Sequence, residues 1–241
     1  MPRRPRVNLV GYPQHIVQRG HNRAASFFGE DDYQCYLHWL KEGADKYGCA
    51  IHAYALITNH VHLLVSPSRA DGITRLMQSL GRRYAQYVNR FYKRSGSVWE
   101  GRFKASAIHA EEYLLTCYRY IELNPVTAGM VNDPADYRWT SYRWHALGES
   151  NALITDHELH EGMAREAGDR QAAYRALFRA HLDDEAVDDI SKALNGGQPL
   201  GNERVRAQVE VALGKRLAPK QCGRRRAEKA AYANELMALE I

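Results

Sequence analysis

Two apolar runs constrain this chain most: CAIHAYALI (49–57) and HVHLLVS (60–66), separated only by Thr58 and Asn59. They read as two strands joined tightly. Alternate side chains on a strand share a face. Val61, Leu63 and Val65 therefore point one way, and His60, His62 and Leu64 point the other. If the apolar set is the core face, the two imidazoles project together from the opposite side. Strand rise puts their roots about 7 Å apart. That is close enough to converge on one cation, leaving positions for a third ligand, water and substrate. Two histidines at this spacing also occur on half-exposed strands that bind nothing.

The flanking segments supply the rest of a small α+β fold. YPQHIVQRG (12–20) alternates like a strand and stops at Gly20. EDDYQCYLHWLKEGADKYG (30–48) has helical spacing at Tyr33, Tyr36, Leu37 and Leu40, with Asp31 or Asp32 as a possible cap and Gly48 as the stop. Residues 73–96 predict a long helix with Ile73, Leu76, Leu80, Tyr84, Tyr87 and Phe91 on one side. GRFKASAIHA (101–110) is strand-like, and EEYLLTCYRYIELN (111–124) is helical, with acids in the first turn and Pro125 at its end. The order β-α-β-β-α-β-α is the split βαβ arrangement of ferredoxin-like and RRM-like folds. It predicts an antiparallel sheet with helices on one face.

The last of these helices places Tyr120 and Asn124 at i, i+4, on one face. A phenol can attack a phosphodiester and hold it covalently. An amide oxygen is a reasonable hard ligand for Mg²⁺ or Mn²⁺. Taken alone, Tyr120 would be read as a packed aromatic.

Charge separates the chain into regions. Residues 1–106 hold sixteen Lys/Arg against seven Asp/Glu, so +9, and 107–241 hold seventeen against twenty-one, so −4. A basic, aromatic-rich half favours a polyanion, usually nucleic acid. No apolar run approaches the roughly 18 residues of a membrane span, so no membrane partner is expected. MPRRPRVNLVGYP lacks the apolar stretch of a secretory signal. The four cysteines are scattered with no CxxC pair, as in a reduced, cytoplasmic protein. After about residue 145 the character changes. Residues 145–203 are acidic (−7) and 204–229 basic (+7), with helical patterns at 203–217 and 223–241. We expect two units: 1–145, and a mainly helical extension over 146–241 that serves as an accessory DNA-binding or regulatory element. The acidic block could pack on the basic face and restrain the site.

At this point the sequence resembles a known family. His60-Val61-His62 is a His-hydrophobic-His (HUH) motif, and Tyr120 with Asn124 matches the single-tyrosine helix of HUH transposases. More particularly, the chain looks like a REP-associated tyrosine transposase. The likeness covers nearly all of residues 3 to 145. It rests on GYPQHIVQRGHNR (11–23), HAYALITNHVHLLV (52–65), LMQSLGRRYAQYVNR (76–90), WEGRF (99–103), YRYIELNPVTAGMV (118–131) and DYRWTSY (136–142), in that order. In better-known insertion-sequence transposases the third ligand is commonly Gln; here it is Asn124.

The resemblance implies a cytoplasmic, nucleoid-associated enzyme that nicks and joins single-stranded or hairpin DNA. Tyr120 would be the nucleophile, and His60, His62 and Asn124 the ligands of Mg²⁺ or Mn²⁺. A monomer is expected, with a dimer as the alternative. Arg82, Arg83, Arg90, Lys93 and Arg94 on the polar side of the long helix, followed by Arg102 and Lys104, are candidate DNA contacts. The rival readings are a non-catalytic nucleic-acid-binding module, which needs no tyrosine, and a water-using metal hydrolase, which would tolerate Tyr120→Phe.

Overall fold

The computed structural model describes residues 9–108, 111–180 and 182–200. The N-terminal PRRPR stretch, the expected helices at 203–217 and 223–241 and the basic segment 204–229 lie outside the described residues.

Four strands, β1 (Gln14–Arg19), β2 (Cys49–Ile57), β3 (His60–Pro67) and β4 (Lys104–Ala107), form one sheet in the order β2-β3-β1-β4. Every neighbouring pair is antiparallel. This is the expected split βαβ order. Helix α1 (Glu30–Tyr47) joins β1 to β2, and α2 (Gly72–Phe91) joins β3 to β4. After β4 come α3 (Glu111–Glu122), the single turn α4 (Asn124–Thr127), α5 (Tyr142–Leu147), the short α6 (Glu158–Glu161), α7 (Ala167–Leu177) and α8 (Asp184–Gly196). Among the described residues no helix is long and apolar enough to cross a membrane.

Local chemistry explains the element ends. Gly29, not Asp31 or Asp32, caps α1. Asp32 instead sits one turn in, and its carboxylate accepts from the Phe28 and Gly29 amides at 2.7 and 3.0 Å. The same carboxylate accepts from the hydroxyls of Tyr87 and Tyr92, both at 2.9 Å, and so pins α1 to α2. Gly48 closes α1 in the left-handed region (φ 64°), where a side chain would be strained. Gly20, just past the end of β1, has no room for a side chain: a Cβ there would lie 2.2 Å from the Ala24 carbonyl oxygen.

The expectation of helices on one face holds for α1 and α2 and is corrected for α3 and α8. Helices α1 and α2 cover the face of Ile16, Val61, Leu63 and Val65. The opposite face carries His15, His62 and Leu64, and α3 packs across it, with the Tyr120 ring 5.8 Å from that of His62. Leu64 is consequently as buried as Leu63. The sheet is sandwiched because both strand faces are rich enough in apolar side chains to need cover. Along α2 the apolar stripe holds from Ile73 to Tyr84, but Phe91 projects into solvent.

Behind α3 lies a second, polar core. Glu122, fully buried, accepts from Ser141 Oγ (2.5 Å), His145 Nδ1 (2.7 Å) and Tyr174 Oη (2.7 Å). A buried carboxylate is tolerable only when satisfied in this way. These donors come from the start of α5, α5 itself and α7, so the segment up to about 178 is bound to the back of α3. Helix α5 runs through residue 145, the expected unit boundary.

Candidate active site

Strand register builds the site. Arg19 sits opposite His60, and Val17 opposite His62. Lys104 pairs with Val17 on the other side. All therefore share the face that α3 covers. Together with Arg23, Arg102, Tyr120 and Asn124 they line a cavity of about 780 Å³.

Each candidate ligand is held by its other polar atom. His60 Nδ1 lies 2.6 Å from Asn59 Oδ1; because that oxygen only accepts, the ring must donate from Nδ1, which leaves its Nε2 lone pair available. His62 Nδ1 lies 2.9 Å from Nε2 of His15, a residue one step along β1 on the same face. The Asn124 side-chain nitrogen donates to the Tyr120 carbonyl oxygen at 2.7 Å, and Asn124 neighbours His60 in the cavity wall. This bond reflects the break in the helix. Pro125 has no N–H, so α3 ends and the Asn124 side chain satisfies one of its last-turn carbonyls.

Burial sets the charge states. Desolvation lowers the His62 pKa well below its usual range, with His15, His60 and Arg19 adding to the effect. It lowers His60 also, assisted by Arg19. His15 is pushed down to about 3 by burial alone. All three imidazoles are neutral at physiological pH, as ligation requires. Burial raises the Tyr120 phenol, against the opposing pull of a hydrogen bond with Ser191 and the nearby Arg19. Two imidazole nitrogens and an amide oxygen, each oriented by an outer partner, fit a divalent cation.

The four residues singled out from sequence, His60, His62, Tyr120 and Asn124, thus meet in one cavity. Of the seven basic candidates only Arg102 and Lys104 line it. Arg82, Arg83, Arg90, Lys93 and Arg94 belong to α2 and the turn after it, on the other side of the sheet. Arg83 is already engaged by Glu42 (2.5 Å) and stacks over Trp39, and Arg94 stacks over Phe28. Sequence reasoning did not single out His15, Arg19, Arg23 or Ser191. The β1 alternation puts His15 and Arg19 on one face, which was a usable signal. Ser191 sits on α8, whose end also lines the cavity, and Lys104 Nζ donates to Asn195 there at 2.7 Å.

Comparison with known proteins fits this geometry. Residues 9–124 match the family model of IS200-like transposases. The matched segment ends at Asn124, the last of the four convergent residues. Among solved structures, the fold is similar to that of a REP-associated tyrosine transposase bound to a REP hairpin. The two share 18% identity over 66% of this chain and 96% of that one, with a TM-score of 0.54. A candidate transposase from Deinococcus radiodurans also shares 18% identity, over 50% of this chain and 96% of that one, but at a TM-score of 0.36 it carries no argument. No curated protein matches.

Proposed function

We propose that this protein nicks and joins single-stranded DNA bearing a REP-type hairpin, through a covalent 5′-phosphotyrosine at Tyr120. The observation that supports this best is the convergence of Tyr120, His60, His62 and Asn124 on a cavity rimmed by Arg19, Arg23, Arg102 and Lys104. A pure binding module needs the cations but not the other four.

The His60, His62 and Asn124 donor set would hold Mg²⁺ or Mn²⁺, which when bound polarises the scissile phosphate. The arginines and Lys104 position the backbone by charge. The Tyr120 oxygen attacks phosphorus in line. The P–O3′ bond breaks as the O–P bond forms; the phenol proton is lost, and the departing 3′-oxygen takes one up. One phosphodiester replaces another, so a 3′-hydroxyl can reverse the step without ATP. A monomer suffices for this reading, because a single chain can supply all four groups.

The test is incubation of the full chain with a labelled single-stranded REP-type hairpin and Mn²⁺ or Mg²⁺. A covalent protein–DNA band absent from Tyr120→Phe is expected. Equal nicking by Tyr120→Phe would point to hydrolysis through water, and binding with no adduct to the module reading.

A further inference from the structure

A second cluster of metal-ligating side chains lies behind α3, away from the cavity. His145 of α5, His160 of α6 and Asp156, four residues before it, bring one donor atom each to within 4.8 Å of one another. Asp156 Oδ1 is 3.1 Å from His160 Nδ1 and 3.9 Å from His145 Nε2. Ligands at 2.0–2.2 Å around a tetrahedral centre stand roughly 3.3–3.6 Å apart. The observed spacings bracket that value, so small side-chain adjustments would bring all three onto one ion.

The surroundings favour ligation over simple ion pairing. Both histidines are more than nine-tenths buried. Among the described residues neither Nε2 has a hydrogen-bond partner, and His160 Nδ1 meets the Asp156 carboxylate alone. His145 Nδ1 donates to Glu122 at 2.7 Å, the outer hydrogen bond that a metal-bound imidazole usually makes, and it leaves the Nε2 lone pair facing the cluster. The indole N–H of Trp144 donates to Asp156 Oδ1 at 3.0 Å and orients that carboxylate. One divalent cation held by the two imidazoles would offset the charge of both carboxylates.

We propose that His145, Asp156 and His160 bind a structural divalent cation of the zinc type, with water as the fourth ligand. Two imidazoles and one carboxylate suit zinc better than magnesium. The ion would clip α5 to α6 directly beneath Tyr118 of α3, whose ring contacts both histidines.

The test counts zinc separately at the two sites. The full chain is stripped with chelator, dialysed against micromolar zinc chloride, and its zinc measured by mass spectrometry. His60→Ala/His62→Ala should retain one tightly held equivalent, and zinc should raise its melting temperature by several degrees. Cobalt(II) in the same variant should give the visible absorption of a tetrahedral centre. Adding His160→Gln to that variant should abolish the equivalent; should the triple variant fail to fold, the double variant decides alone. Loss of all tightly held zinc from the double variant, or its retention by the folded triple variant, overturns the assignment.

Discussion

His15 Nε2 lies 2.9 Å from His62 Nδ1, so the imidazole that faces the cavity is steered by another imidazole buried behind it. For His62 to offer a lone pair at Nε2 it must donate from Nδ1, and His15 must accept. Outer hydrogen bonds of this kind are commonly worth 10–100-fold in metal affinity. We expect His15→Ala to raise the Mn²⁺ concentration needed for half-maximal adduct formation by roughly that factor. The rate at saturating metal should change far less. A metal titration identical to the unaltered protein's would exclude this role.

Glu122 stands two residues after Tyr120 and satisfies three buried donors. In Glu122→Gln one oxygen becomes an NH₂ group, so at least one former donor meets another donor. Loss of a buried, charge-assisted network of this size should cost roughly 3 kcal/mol. Urea unfolding followed by circular dichroism measures it, and a change under about 0.5 kcal/mol, typical of a surface substitution, would contradict the packing argument.

Acid should weaken the fold through His52. Its Nδ1 donates to the Thr155 carbonyl oxygen (2.8 Å), its Nε2 accepts from Ser66 Oγ (2.9 Å), and burial lowers its pKa to about 4. The unfolded chain binds this proton near pH 6.5, and the folded chain only near 4. The contribution is therefore complete above 6.5 and falls by about 1.4 kcal/mol per pH unit until about 4. Urea midpoints measured from pH 7.5 to 4 should fall at least this steeply, since His15, His60 and His62 are lowered in the same sense, and His52→Gln should flatten the slope by about one proton's worth.

Truncation should have opposite effects on either side of α7. Helix α8 supplies Ser191, Leu194 and Asn195 to the cavity wall. A chain ended after Ala180 keeps Tyr174 on Glu122 and opens that wall, so it should stay folded and form adduct several-fold faster at limiting DNA. A chain ended after His145 cuts α5 and strips Tyr174 and His160 from the back of α3, and should not fold stably. Slower adduct formation by the longer, folded truncation would mean that α8 supports the site instead of covering it.

Much of this arrangement is legible in local patterns. The phase of 60–65 puts His60 and His62 on one face, and the i, i+4 spacing puts Tyr120 beside Asn124, because both depend only on strand and helix periodicity. The partner of His62 is not legible that way. His15 reaches it only because β1 lies beside β3, a fact of sheet order. Strand phase also says which residues share a face but not what covers it, which is why α3 and α8 on the histidine face were not foreseen. The α2 cations looked suited to DNA by composition, yet charge runs do not reveal on which side of a sheet their helix lies. Ser191 joins Tyr120 across seventy residues, beyond any periodic signal.

The Glu122 network has a consequence for how DNA ends must travel. The far end of α3, welded to α5 and α7, is held in place. Under the proposed chemistry, a strand attached to Tyr120 stays where it was cut. The protein is then a fixed anvil: the free 3′-hydroxyl, and not the tyrosine, has to cover the distance between one junction and the next.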